Sequence, residues 1–192
     1  MELEQFTDDF ASALQEVDRS GAAYKKYQPG IGAFSEPAAI REALKVLKRR
    51  HPDRYKKAAI KRHPDLLIPN EWQIEFKVIG PYNDNGQKAE HWSQNVLHPY
   101  RDNTSSIGDC LKLLEAKGNE RKAVVVFGYE HGPAIIPLDP CIKGFEMLAE
   151  GLFKIRLSAR IEKRIDHLIH PVFRVLRVFA WEILRVNERE ED

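Results

Sequence analysis

The sequence predicts an α/β sandwich in which a central mixed sheet is flanked by helices. Three observations predict it: amphipathic helix patterns open the chain, a pair of short strand patterns follows, and a further helix, strand and mixed apolar segment complete the order. A chain of 192 residues fits one compact domain, because single cores commonly grow to this length. No repeat, low-complexity tract or Gly/Ser linker suggests a boundary, so 1–192 is read as one domain.

Leu3, Phe6, Phe10, Leu14 and Val17 recur at three- and four-residue steps, which predicts an amphipathic helix to about Arg19, stopped by Gly21. After a loop through Pro29, Gly30 and Gly32, Ser35 caps a second helix with Ile40, Leu44 and Leu47 as its apolar stripe. That helix ends near His51 and Pro52, and a short basic helix is expected over Tyr55 to Arg62. Leu66, Leu67 and Ile68 then predict a brief buried strand, with a turn at Pro69-Asn70. From Trp72 to Ile79 the pattern alternates, so Ile74, Phe76 and Val78 face one way and Gln73, Glu75 and Lys77 the other. Further on, Ser105 or Ser106 caps a helix carrying Ile107, Leu111 and Leu114, ended by Gly118. Ala123 to Phe127 reads as a buried strand, and Asp139-Pro140 starts a helix through Phe145 and Leu148. The segment from His170 to Leu184 has helical spacing but β-branched and aromatic content, and both readings stay open.

Composition excludes several classes. Hydrophobic residues make up 43% and charged residues 31%, unlike the polar signature of disorder. Cys110 and Cys141 form no CxxC pair, so neither a disulfide framework nor a four-ligand zinc site is suggested. The acidic start MELEQFTDDF lacks the pattern of a secretory signal, and no apolar run approaches a membrane span; a cytoplasmic protein with no membrane partner is expected. There is no HExxH, and Gly30-Ile31-Gly32 lacks the lysine of a P-loop. The net charge of +1 hides a basic block: from Arg41 to His63, ten Lys or Arg stand against Glu42 and Asp53. Lys45, Lys48, Arg49, Arg50, Lys56, Lys57, Lys61 and Arg62 are candidates for phosphate contacts, although a charged, solvated helix face explains such a run equally simply.

The chemistry sits just after this block. Hard divalent cations prefer oxygen ligands, and Asp65 and Glu75 on adjacent strands supply two carboxylates. Lys77, two residues after Glu75, shares its face in a strand, whereas on a helix the two would splay by roughly 200°. Pro64-Asp65 followed by Glu75-Phe76-Lys77 resembles the motif of the PD-(D/E)XK, or restriction-endonuclease-like, nuclease superfamily. The fragments HPY, GDCLKL and VFGYEH are similar to those of an uncharacterised bacterial branch with this core. The resemblance implies a restriction-endonuclease-like sheet and a nuclease dependent on Mg²⁺ or Mn²⁺. Asp65, Glu75 and the Phe76 carbonyl would be metal ligands and Lys77 would orient water. It also implies a helical glutamate, which Glu36 or Glu42 would provide, and directs attention to Gln94, His98 and Tyr100, since some exonuclease branches carry a glutamine followed four residues later by tyrosine. Here that fourth residue is His98.

The alternative Pro52-Asp53 lacks an apolar strand behind it, and a helix N-cap suits Asp53 better. A solvated surface hairpin is the plain alternative for the whole triad. The expected function is DNA hydrolysis, probed against a catalytically inactive nuclease-like binding or scaffold protein; a homodimeric restriction enzyme is a third reading.

Overall fold

The computed structural model describes residues 1–98 and 105–184. The chain opens with α1 (Leu3–Arg19), whose five predicted apolar positions are all buried, and α2 (Glu36–Arg50), which buries Ile40, Leu44 and Leu47. Ser35 stands at the N-cap of α2 with extended backbone, but its hydroxyl donates to the Tyr24 hydroxyl instead of capping the helix. The expected helix over Tyr55–Arg62 is corrected. A single turn, α3 (Pro52–Tyr55), comes first, and Ala59–Ile60 pairs as strand β1 because its backbone finds β2 (Leu66–Ile68) as a partner. Asp53 lies in the first turn of α3, where a carboxylate complements the helix dipole, while the N-cap is His51.

Strand β3 (Trp72–Ile79) returns antiparallel to β2 through a turn in which Asn70 adopts φ 64°, a left-handed conformation that asparagine tolerates. The chain then passes α4 (Gln94–Leu97) and α5 (Ser106–Glu115) to β4 (Arg121–Glu130), parallel to β3. After α6 (Asp139–Met147) and a π-helical turn at Leu148–Leu152 come β5 (Arg156–Leu157), β6 (Ile161–Asp166) and β7 (Val175–Leu184). Of the segment 170–184, for which the sequence leaves helix and strand both open, Val175–Leu184 is a strand. The seven-stranded mixed sheet runs β1-β2-β3-β4-β7-β5, with β6 also pairing with β7. Helices cover both faces, and the apolar side chains divide accordingly into two clusters.

This double coverage explains the nearly continuous burial of β4 and β7 and the apolar runs at their centres, since a strand covered on both sides has no solvent face to alternate. One cluster joins α1 and α2 to Ile74, Phe76, Val125 and Phe127; the other joins α5 and α6 to Val124, Val126, Phe179 and Trp181. No helix among the described residues is long and apolar enough to cross a membrane.

Candidate active site

The register of the β2–β3 hairpin builds the site. Leu66 pairs with Ile74, so the next step outward brings Asp65 opposite Glu75. Asp65 accepts a hydrogen bond from the Phe76 amide at 2.9 Å, beyond the last β2–β3 ladder pair. Farther along that same edge, Val78 N donates to Glu36 Oε2 at 2.6 Å. The first turn of α2 thus reaches around the sheet edge to place a third carboxylate beside β3.

Phe76 sets the rotation of the strand. Its ring packs at 4.9 Å from Phe10 and 6.3 Å from Phe6, centroid to centroid, on the α1 side of the sheet. Because side chains alternate, anchoring Phe76 there turns Glu75 and Lys77 toward α5. A fourth carboxylate waits on that helix. Lys77 Nζ lies 3.2 Å from Asp109 Oδ2 and 3.9 Å from Glu36 Oε1, and Lys112 bonds Asp109 Oδ1 at 2.9 Å. His63 Nδ1 approaches Glu75 Oε1 at 3.4 Å.

Asp65, Glu75 and Lys77 are therefore gathered in one cluster with Glu36 and Asp109. Four carboxyl groups face two lysines, and Glu75 and Asp109 are almost wholly buried. Burial, a hydrogen bond with the Asp65 carboxyl and the charges of Asp65 and Asp109 hold the Glu75 carboxyl far above the usual carboxylate range. Glu36 is pushed up to about 7, chiefly by burial, against the opposing pull of Lys77 and the Val78 amide. Lys77 is raised although burial opposes it, because Glu36 and Asp109 favour its charged form. The outcome is a site short of positive charge, in which burial and the charges of Asp65 and Asp109 oppose ionisation of Glu75.

The donor chemistry fits a hard divalent cation, since the acidic side chains gathered here are carboxylates, while the Cys110 thiol is buried in the apolar cluster behind them. Asp109 Oδ2 is buried against the Lys77 ammonium at 3.2 Å, so this carboxylate faces the lysine. Among the described residues no three His, Cys, Asp or Glu side chains form a ready-made metal cluster. Two carboxylates suit an ion such as Mg²⁺, which keeps several of its waters.

The remaining sequence candidates scatter. Glu42 pairs with Lys45 on the outer side of α2, apart from the partners of Lys77, and so does not supply the helical glutamate. Gln94 Nε2 lies 3.1 Å from His91 Nδ1, and the His98 carbonyl accepts from Ser105 Oγ. Tyr100 lies outside the described residues. In the basic block, Arg49 and Arg50 both pair with Glu16 of α1, while Lys48, Lys56, Lys57 and Arg62 are exposed. Lys61 joins His63, Gln73, Glu75, Lys112 and Lys117 around a cavity of about 480 Å³, which gathers positive charge around Glu75.

Asp109 and His63 were missed by sequence reasoning. The expected stripe Ile107, Leu111, Leu114 is rotated: α5 buries Ile107, Cys110 and Leu113, and Leu114 is exposed. The corrected stripe puts Asp109 on the inner face, and an acid on a core-facing stripe is the signal that could have found it. With this geometry in place, comparison with known proteins adds nothing further: no family model, no curated protein and no solved structure matches the chain.

Proposed function

We propose that the chain is a metal-dependent deoxyribonuclease with a restriction-endonuclease-like sheet, acting as an endonuclease with Mg²⁺ or Mn²⁺. The observation that carries this reading is the gathering of Asp65, Glu75 and Lys77, with Glu36 and Asp109, at the open edge of β3. A buried excess of carboxylate is costly unless a cation completes it, so a binding role gives these residues a reason to be there.

Asp65 and Glu75, with the Phe76 carbonyl, would hold the ion. When bound, it supplies neutralisation of the phosphoryl oxygens and a water more easily deprotonated at neutral pH. Glu75 would hold the ion as a carboxylate, its proton released to solvent. Lys77, charged and fixed between Glu36 and Asp109, points an ammonium at the same place and orients the attacking water or a phosphate oxygen. Glu36 and Asp109 act through Lys77 as positioning residues. Lys61, Lys112 and Lys117 around the adjoining cavity suit the DNA backbone, which is bound by charge and read without regard to sequence.

The test is nicking of supercoiled plasmid with Mg²⁺ or Mn²⁺, comparing the wild type with Lys77→Ala and Glu75→Ala. Loss of cutting by at least about 100-fold, with melting unaltered in kind, is expected from removal of groups acting on the transition state. Equal cutting by all three proteins rejects the site. A specific observation favours a second reading: Asp65 and Glu36 cap backbone amides of the β3 edge, as they would in a nuclease-like scaffold that only binds DNA. Salt-sensitive binding without cutting in either metal would select that reading.

A further inference from the structure

The loop between α1 and α2 carries aromatic rings and positive charge that phosphodiester chemistry leaves unused. Gly30 N donates to Ala22 O, Ala23 bridges Pro29, and Tyr27 N donates to Tyr24 O, which closes the segment into a compact turn. Beneath it, buried Asp18 accepts from Ile31 N at 3.1 Å and from Ile169 N at 2.9 Å. Gly32 lies flush on Phe173, where an added Cβ would come within 2.5 Å of the ring. The turn is held from below and its rings are pre-placed.

Those rings are Tyr24 and Tyr27, stacked with centroids 6.4 Å apart and planes 13° from parallel. Lys25 Nζ sits 5.0 Å from the Tyr24 ring, and both Lys25 and Lys26 are exposed. Tyr27 is itself 39% exposed, although large aromatic rings are normally covered. With Phe34, Tyr82 and Phe173 they line a cleft of about 340 Å³, whose wall also includes Asp84. Two of its neighbours tie it to the carboxylates: Ser35 precedes Glu36, and Tyr82 follows three residues after the end of β3.

We infer that this cleft stacks an unpaired nucleobase, making single-stranded or frayed nucleic acid the substrate of the adjoining site. Aromatic rings interleaved with lysines, as in Tyr24-Lys25-Lys26-Tyr27, meet both parts of a nucleotide: π face on ring, phosphate on ammonium. A duplex keeps its bases stacked on each other and offers the tyrosines no such face. A protein partner is the poorer match, because lysine is depleted from the centres of protein interfaces. The stacking needs only the cleft, whereas the word substrate rests on the nuclease reading above.

Fluorescence anisotropy on the full chain, with chelator present, separates the two. The probes are a labelled thymidine oligonucleotide of about 20 residues, its duplex with oligoadenylate, and an abasic strand of the same length. The thymidine strand should bind about tenfold more tightly than the abasic one; Tyr27→Ala should erase that difference, and Tyr27→Trp should keep it. A 5-iodouracil strand should crosslink to Tyr24 or Tyr27. Equal affinity of wild type and Tyr27→Ala for the thymidine strand overturns the inference, as does self-association that Tyr27→Ala abolishes without an effect on oligonucleotide binding. Metal-dependent cutting with no tyrosine effect on binding refutes the stacking and leaves the nuclease standing; tyrosine-dependent binding without cutting does the reverse.

Discussion

The two faces of β3 are buried to similar depth and hold opposite chemistry. Toward α1, Ile74 and Phe76 enter an aromatic and aliphatic cluster; toward α5, Gln73 and Glu75 are just as inaccessible and polar. The apolar face is stabilised by burial itself, at roughly 25 cal/mol per Å² removed from water. The polar face draws no such gain, and burial together with the neighbouring Asp65 and Asp109 raises the pKa of Glu75. The difference teaches where stability is made and where it is given up, a division common at functional sites.

The largest effect should come from the stabilising face. Phe76→Ala removes a ring packed against Phe6, Phe10 and Phe127 and should cost roughly 3–5 kcal/mol in urea unfolding. A loss under about 1 kcal/mol would mean that Phe76 does not set the strand.

On the opposite face the sign should reverse. Glu75→Gln, measured at pH 8 in chelator, should stabilise the protein by about 1–2 kcal/mol, since a neutral amide replaces a carboxyl that ionises at a cost. The same substitution should abolish stabilisation by Mn²⁺. Destabilisation of the metal-free protein by Glu75→Gln would remove the idea that this face is strained by charge.

The pH dependence sharpens the point. Folded Glu36 and Glu75 hold protons that the unfolded chain has released above about pH 4.5, so their contribution is greatest at the acid end and declines with rising pH, through about 7 for Glu36 and further for Glu75. Thermal melts in chelator should therefore fall between pH 5.5 and 8.5 by roughly a few degrees, and Mn²⁺ should flatten the slope. A slope unchanged in the double variant Glu36→Gln, Glu75→Gln would assign it elsewhere.

Smaller effects should mark the positioning shell and then the surface. Asp109→Asn removes the nearest charge from Lys77 and should lower the pKa of that ammonium, seen by NMR titration, with little change in fold. Arg49→Ala breaks an exposed pair with Glu16 and should cost under about 1 kcal/mol.

Much of this arrangement is legible along the chain. The 3.6-residue spacing of α1 and the two-residue spacing of β3 each reflect a local geometry that any window of the chain can display, so Leu3–Arg19 and Trp72–Ile79 are read with their observed bounds. Strand β7 is harder, because an element covered on both sides loses its periodicity, and Val175–Leu184 fits a helix or a strand until β4 and β6 pair with it. The short β1 depends likewise on a partner: Ala59–Ile60 is too brief for any pattern and exists because β2 lies alongside.

By itself the sequence determined the apolar spacing of the principal elements, the turn at Asn70 and the shared face of Glu75 and Lys77, all of which follow from how residues a few positions apart are oriented. Only the tertiary structure decided that Asp109 stands 32 residues from Lys77 in sequence yet 3.2 Å away in space, that Glu36 reaches the β3 edge, and that Glu42 does not. Local spacing fixes which way a side chain points from its own backbone; which other side chain it meets depends on packing between elements, and charge felt through a buried interior is settled there.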